Sequence, residues 1–228
     1  MRVGRERRRV GLFLAEGPRE VGRALSAGLT VTAMYHSPEL LPDWPHGGIE
    51  VSPRVLAKMS YRGDPEGVIA IVETPVATIP ADASLVLVAV GIEKPGNLGA
   101  LVRTADAAGA DALLVADAAT DPWNPNAIRA STGAVFTLPI VEATLDTIRA
   151  LPLQKVAAVV DAPTPHTGVD LRAPTALLVG AEDAGLDGRW RDVADVQVSI
   201  PMHPRTVDSL NTATAAAILL FEAVRQRA

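Results

Sequence analysis

The sequence predicts an α/β protein with a mainly parallel sheet. Segments typical of strands alternate with segments typical of helices, an order that parallel sheets with crossover helices require. One strand candidate, LVLVAVGI at 85–92, is almost continuously apolar, as strands buried on both faces are. A stretch rich in Pro, Ala and Thr at 74–84 has no apolar period. We therefore predict a small domain at 1–73, a linker at 74–84 and a larger domain at 85–228.

The elements before the linker are short. Three apolar segments predict strands: VGLFLA, VTAMYHS and GVIAIVE. GPREVGRALSAG predicts a helix, because Pro18 suits a first turn and Gly28 suits a helix end. SPRVLAKMS predicts a shorter helix, with Ser52 as its cap and Pro53 at its first position.

Beyond the linker the same alternation continues to the end of the chain. Five more apolar segments predict strands: DALLVA, VFTLPIV, KVAAVV, TALLVG and VQVSIPM. Helices are predicted from PGNLGALVRTADAAG, NPNAIRASTG, TLDTIRAL and SLNTATAAAILLFEAVRQR. In the last helix Ser209 is the expected cap, which places Leu210 and Asn211 in the first turn.

Composition excludes several classes of function. The 228 residues include no cysteine, which excludes disulfides, zinc ribbons and thiol catalysis and permits a reducing compartment. The four histidines show no metal-ligand spacing, so no metal is expected. No apolar run approaches the ~20 residues of a membrane span, so we expect a soluble, cytoplasmic protein without a membrane partner. The net charge of −5 argues against a non-specific nucleic-acid binder.

Basic residues are nevertheless concentrated near the N-terminus. Arg5, Arg7, Arg8 and Arg9 stand together with a single acidic residue among them. They form either a solvated tail or an arm that pairs with phosphates. With Arg19, they are the candidate RNA-binding residues.

The segment EKPGNLGALVRTADAAG follows a strand and has an unusual composition. It lacks both the P-loop and the dinucleotide-binding glycine patterns. Gly99 early in a helix costs up to ~1 kcal/mol against alanine, which suggests close approach by another backbone or a ligand. Arg103 either extends its guanidinium off an apolar face or holds a phosphate or developing oxyanion. Asn97 is either a helix cap or part of a site.

Two further polar segments also follow strands, and ligands of open α/β sheets bind at the carboxyl ends of strands. LLVGAEDAGLDG carries Glu182 in a turn after Gly180. SIPMHPRTVDSLNTATAAA carries Ser209 and Asn211 ahead of the terminal helix. No nucleophile elbow of the G-x-S-x-G type is present, which disfavours a hydrolase.

Together the three segments resemble the motifs of the SpoU (TrmH-like) RNA 2′-O-ribose methyltransferases of the SPOUT class. The family patterns are N-x-G-A-x-x-R-T/S-A, matched at 97–105, and G-N-E-x-x-G-L, matched at 180–186. The third, I-P-M followed by S-L-N, is matched at 200–202 and 209–211. The residues before the linker are similar to the family's small substrate-binding domain. Ala181 departs from the usual Asn, and the loop HPRTVD is about one residue longer than usual.

The resemblance implies a fold and a cofactor. The larger domain is expected to be a parallel sheet with a deep trefoil knot, and the protein a homodimer through its terminal helix. S-adenosylmethionine is the expected cofactor and S-adenosylhomocysteine the product. The residues expected to hold the cofactor are Val160, Asp161, Val179, Gly180, Ile200, Met202 and Leu210.

The resemblance also implies the reaction, which is 2′-O-ribose methylation of structured RNA, with 23S rRNA favoured over tRNA. Arg103 is expected to activate the 2′-hydroxyl, either as the base or by holding the adjacent phosphate and stabilising the alkoxide. Asn97, Glu182, Ser209 and Asn211 are expected to position the ribose and Arg103. Alternatives are a tRNA methyltransferase and a non-catalytic RNA-binding or ribosome-assembly protein on the same fold.

Overall fold

A computed structural model describes residues 3–61, 63–203, 206 and 208–228, and it confirms the α/β prediction. Two sheets are present. The first has four strands in the order β1-β4-β2-β3, with both neighbours of β4 antiparallel to it. Its strands are β1 (Leu12–Glu16), β2 (Val31–His36), β3 (Ile49–Glu50) and β4 (Val68–Glu73). Its helices are α1 (Gly4–Val10), α2 (Pro18–Ser26) and α3 (Pro53–Met59).

The second sheet has seven strands, and every recorded pairing in it is parallel. Its order is β7-β6-β5-β10-β8-β11-β9. The strands are β5 (Leu85–Val90), β6 (Ala112–Ala116), β7 (Ile140–Glu142), β8 (Gln154–Ala158), β9 (Thr164–Pro165), β10 (Thr175–Val179) and β11 (Val196–Ser199). The helices are α4 (Pro95–Ala107), α5 (Pro125–Ala130), α6 (Leu145–Ala150), α7 (Gly188–Val193) and α8 (Thr212–Arg227).

The central strands of this sheet are buried on both faces, as their continuous apolar sequences predict. Every residue of β5, β6 and β10 is buried. Because all seven strands run in one direction, their carboxyl ends lie along a single edge. The three polar segments follow β5, β10 and β11, which lie within four adjacent strands of that sheet. The sheet order therefore brings the segments together.

Gly99 allows α4 and α5 to pack in direct contact. A Cβ at this position would overlap the carbonyl oxygen of Ala127 and the Cβ of Ala130. This confirms the close approach expected from a glycine inside a helix, and the neighbour is another backbone. The contact fixes the position of α4, which carries Asn97 and Arg103.

Several local predictions were wrong. Within the predicted strand VFTLPIV only the end belongs to β7, because Ala134–Phe136 form a 3₁₀ turn that places Phe136 against Phe13. The basic stretch before β1 is a helix rather than a tail, and it ends at Gly11 in the left-handed conformation. Elements β3, β9 and α7 were not predicted. The trefoil knot stays a prediction.

The two sheets are joined by buried contacts as well as by residues 74–84, which form no helix or strand. Arg7 of α1 pairs with Asp121 of the β6–α5 segment at 2.5 Å, and their side chains are only 3% and 6% exposed. Phe13 of β1 stacks on Trp123, with ring centroids 4.7 Å apart. Arg23 of α2 donates to the carbonyl of Thr132. One apolar core extends across both sheets.

Within the described residues, the helices are all too short or too polar to cross a bilayer.

We expect Asp121→Asn to lower the free energy of unfolding by about 3–5 kcal/mol, because the change removes a buried carboxylate charge that pairs with the buried Arg7 guanidinium. Chemical denaturation measures the effect. The control is Asp170→Asn, which breaks the exposed pair with Arg172 and should leave the unfolding midpoint nearly unchanged. Equal effects from the two variants would contradict the conclusion that the buried pair of Arg7 and Asp121 helps to join the two sheets.

Candidate active site

The turn after β10 is folded tightly against the end of that strand. Gly185, in the left-handed conformation at φ +63°, donates from its amide to the Ala181 carbonyl at 2.9 Å. A Cβ at Gly180 would overlap the Gly185 carbonyl group and approach the amide nitrogen of Leu186. Glycine is therefore required at position 180, and the turn holds Glu182 above the end of the sheet.

The N-terminus of α8 is fastened to the same turn. The Asn211 side chain caps the helix by accepting from the amides of Ala213 at 2.9 Å and Thr214 at 3.3 Å. Thr212, which is buried, donates from its hydroxyl to the Gly180 carbonyl at 2.8 Å. The first turn of α8 is polar because it makes these contacts.

Asn97, Glu182 and Asn211 form one hydrogen-bonded cluster. Because the Asn211 oxygen accepts the capping bonds, its amide nitrogen is free to donate, and it donates to Glu182 and, at 3.3 Å, to the Asn97 oxygen. Lys94 approaches from the other side, with its Nζ 2.6 Å from Glu182 Oε2. Chiefly this lysine, and then Asn97, lowers the pKa of Glu182 below its usual value, so the group is an anion at neutral pH.

A cavity of about 300 Å³ lies beside this cluster. It is bounded by the ends of β8, β10 and β11, the turn after β10 and the start of α8. Its walls include Val159, Val160, Val179, Gly180, Glu182, Leu186, Arg191, Ile200, Met202, Asp208, Ser209 and Leu210. A second cavity of about 50 Å³ adjoins it, shares Ala181–Ala184 and Thr212, and is completed by Ile92, Glu93, Lys94 and Asn97.

Comparison with known proteins assigns this arrangement to a family. The SpoU rRNA Methylase family matches residues 84–221, which contain all three segments. This chain belongs to the SpoU rRNA methylase family. The prediction from its motifs is confirmed. Residues 1–70 match the MRM3-like substrate binding domain.

Individual relatives extend the similarity over nearly the whole chain. A 23S rRNA (uridine(2479)-2′-O)-methyltransferase of Streptomyces viridochromogenes is 35% identical, over 97% of this chain and 85% of the relative. A 23S rRNA (guanosine(2553)-2′-O)-methyltransferase of Bacillus subtilis is 30% identical, over 95% and 90%. The SpoU methyltransferase AviRb of Streptomyces viridochromogenes, solved with AdoMet, superposes with a TM-score of 0.89 at 32% identity, covering 99% of this chain and 94% of that one.

Six of the seven residues predicted to hold the cofactor line the larger cavity, and the prediction that they bind it stays a prediction. Val160, Val179, Gly180, Ile200, Met202 and Leu210 all line the larger cavity. Asp161 is not among the described lining residues. It is 79% exposed and lies 3.5 Å from Arg191, which does line the cavity.

The predicted catalytic residues are only partly brought together. Asn97, Glu182 and Asn211 share the cluster, whereas Ser209 is exposed and lines the cavity without capping a helix. Asn211 is the cap instead, because α8 begins two residues later than predicted. Asn97 lies inside the first turn of α4 and does not cap it. Arg103 is exposed on α4 and lines neither cavity within the described residues.

The candidate RNA-binding arginines fall into two groups. Arg5, Arg8 and Arg9 are exposed on α1, and Arg19 is half-exposed beside Glu20 at 2.6 Å. Arg7 is buried against Asp121, so its guanidinium is not presented to a phosphate. The described residues contain no cluster of side chains suited to hold a metal ion. In the loop HPRTVD, positions 204, 205 and 207 lie outside the described residues.

The sequence reasoning missed Lys94 and Arg191. Lys94 stands three residues before Asn97, outside the family pattern, and only the folded turn shows that it meets Glu182. Arg191 lies on α7, which was not predicted, and donates to the Leu186 carbonyl at 2.9 Å. A charged residue directly before the proline of a helix start was the one available signal for Lys94.

We expect Asn211→Asp to keep the cap of α8 while placing a second carboxylate against Glu182, which should raise the pKa of Glu182. In the parent chain the lowered pKa contributes stability above about pH 4.5 that is lost as the pH falls through that pKa. The variant should therefore be less stable at neutral pH, by a margin that shrinks on acidification.

Thermal unfolding between pH 7 and pH 3 measures this margin. Asn211→Ser, an uncharged cap, is the matched control and should show a smaller convergence, because it removes the hydrogen bond to Glu182 without adding a charge. Identical pH profiles for the two variants would refute the contact between residues 211 and 182.

Proposed function

We propose that this chain transfers a methyl group from S-adenosylmethionine to a ribose 2′-hydroxyl of structured RNA, with 23S rRNA as the favoured substrate. The observation that carries the proposal is that the second and third motifs line one cavity. Asn97 of the first motif is joined beside it to Glu182 and Asn211 in one hydrogen-bonded cluster. Such a protein would act in the cytoplasm on ribosomal RNA.

The larger cavity suits the cofactor in size and chemistry. Its volume of about 300 Å³ is that of a small-ligand pocket. Val159, Leu186 and Ile200 offer apolar walls for a purine, and Gly180 lets the Gly185 backbone close against the end of β10 to form part of that wall. The ionised Glu182 stands at one end, where a carboxylate favours a positively charged sulfonium.

When bound, S-adenosylmethionine supplies an electrophilic methyl group: the 2′-oxygen bonds to its carbon, the carbon–sulfur bond breaks and S-adenosylhomocysteine results. The chain must orient the ribose and remove or accommodate the hydroxyl proton. Asn97 and Asn211 are tied together by their mutual hydrogen bond, and Asn211 is also held by the α8 cap. Both N–H donors and both acceptor positions of the Asn211 amide are occupied within the chain, so Asn97 is the member that keeps polar capacity for a ribose hydroxyl.

Arg103 is proposed to stabilise the developing alkoxide and to hold the adjacent phosphate. A guanidinium is effectively always charged, which suits this role better than that of a base. Arg103 lies on α4 with an exposed side chain, which is accessible to RNA.

The choice of rRNA rests on the relatives, two of which are named for 23S rRNA. We propose that the first sheet and its helices, residues 1–73, bind the RNA, that 74–84 link them, and that 85–228 carry the reaction. The exposed Arg5, Arg8 and Arg9 on α1 are the cations proposed to contact phosphates. Arg7 is not one of these cations, because its buried guanidinium pairs with Asp121.

The test is incubation of the chain with labelled S-adenosylmethionine and unmodified 23S rRNA or tRNA. Label should enter rRNA and map to a 2′-O-methyl ribose. Arg103→Ala should lose transfer while calorimetric cofactor affinity stays close to that of the parent chain. Gly180→Ala should instead weaken the binding of the cofactor itself, because its Cβ would overlap the Gly185 backbone.

Cofactor binding without transfer to either RNA would reject the enzymatic proposal in favour of RNA binding alone, and label in tRNA only would reject the substrate. Transfer by Arg103→Ala would reject the role given to Arg103.

We further propose a homodimer that uses the outer face of α8. Phe221 on this helix is 48% exposed, and Ile218 and Ala217 lie one turn earlier on the same side. An exposed aromatic on an apolar helix face is typical of a subunit contact. Phe221→Glu should shift the chain from dimer to monomer in sedimentation, whereas Arg225→Glu at the rim should shift it less. An unchanged mass for Phe221→Glu would reject this interface.

A further inference from the structure

The smaller cavity is lined by one cation among the described residues, and that cation is Lys94. Three carboxylates, Glu93, Glu182 and Asp183, line the same cavity. Arg103, the cation expected to meet the acceptor, lies elsewhere on α4 and lines neither cavity. The described part of a single chain therefore presents Lys94, and not Arg103, at the edge of the polar cluster.

Lys94 is held in place by its partner but is not enclosed. Its Nζ lies 2.6 Å from Glu182 Oε2, while its side chain is 66% exposed and that of Glu182 is 22% exposed. An ammonium has three N–H donors, and the bond to Glu182 occupies one of them. Two donors remain for a group that arrives from solvent. Lys94 also directly precedes α4, whose N-terminus adds partial positive charge at the same place.

We propose that Lys94 binds one of the two RNA phosphates that flank the ribose receiving the methyl group, and that the phosphate assigned to Arg103 is the other. The inference rests on the proposed function, because it takes the larger cavity as the cofactor site and the adjoining cavity as the site of the acceptor ribose. The two cavities share Ala181–Ala184 and Thr212, so groups bound in them would lie next to the same turn.

The carboxylates that line the smaller cavity mean that a phosphate bound there needs a nearby cation. A phosphate brought near Glu93, Glu182 and Asp183 is repelled, and a neighbouring ammonium offsets that repulsion over the same short distances. In the absence of RNA, Glu182 balances the charge of Lys94, and the raised pKa of Lys94 keeps it protonated. On binding, Lys94 can contact the phosphate without leaving Glu182, which keeps that carboxylate ionised and in hydrogen-bond contact with Asn97 and Asn211.

The first experiment measures RNA affinity without cofactor, as a function of salt, for the parent chain, Lys94→Met and Lys94→Arg. Each phosphate contact contributes about 0.7–0.9 to the slope of log affinity against log salt. Lys94→Met should reduce the slope by about that amount and weaken binding to unmodified 23S rRNA roughly tenfold. Lys94→Arg should restore the slope. The control, Arg172→Met, removes a similarly exposed, ion-paired arginine that lines neither cavity, and should leave the slope unchanged.

The second experiment compares cofactor affinity and methyl transfer in the same proteins. Lys94→Met should bind S-adenosylmethionine like the parent chain, and its kcat/KM for rRNA should fall mainly through KM. An unchanged salt slope for Lys94→Met overturns the phosphate contact, and a loss confined to kcat assigns Lys94 to positioning Glu182 instead. If the parent chain transfers no methyl group, the proposed function fails, whereas the salt slopes still decide whether Lys94 meets a phosphate.

Discussion

The site depends on the absence of a side chain at Gly180. Because the Gly185 backbone occupies the place of a Cβ, the turn folds back over the end of β10 and holds Glu182 between the starts of α4 and α8. The carbonyl of Gly180 then receives the Thr212 hydroxyl, which fixes where α8 begins. The close contact between Gly180 and the Gly185 backbone thus sets the positions of the Glu182 carboxylate, the α8 cap and one wall of the larger cavity.

Much of the fold follows from patterns that act over short distances along the chain. Continuous apolar runs predicted β5, β6 and β10, since a strand buried on both faces has no polar side. The glycine at 99 predicted a close neighbour without naming α5. Short elements were missed, because β3 and β9 have two residues each and show no period. Phe136 was taken for strand because its apolar character reflects contact with Phe13, not a strand position.

The site was predictable where its residues belong to motifs and not where they meet across the fold. Asn97, Glu182 and Asn211 were named as site residues from the sequence, but Ser209 was predicted to cap α8. Serine and asparagine both suit a cap position, and only the hydrogen bonds from the Ala213 and Thr214 amides show that Asn211 is the cap. Arg7 looked like a surface cation, and its partner Asp121 is 114 residues away. Contacts between residues so far apart in the sequence leave no local sequence signal. The contact of Lys94 with Glu182 was missed for the same reason.

The buried pair between Arg7 and Asp121 bears on how this protein can be divided. A shortened chain that begins at β5 would keep Asp121, Trp123 and Phe136 but would lose the arginine and the phenylalanine that cover them. A carboxylate and two aromatic rings would then face water, a surface prone to self-association. Isolating the larger unit therefore requires redesign of Asp121, Trp123 and Phe136 together, because the contacts between the two sheets are part of the protein interior.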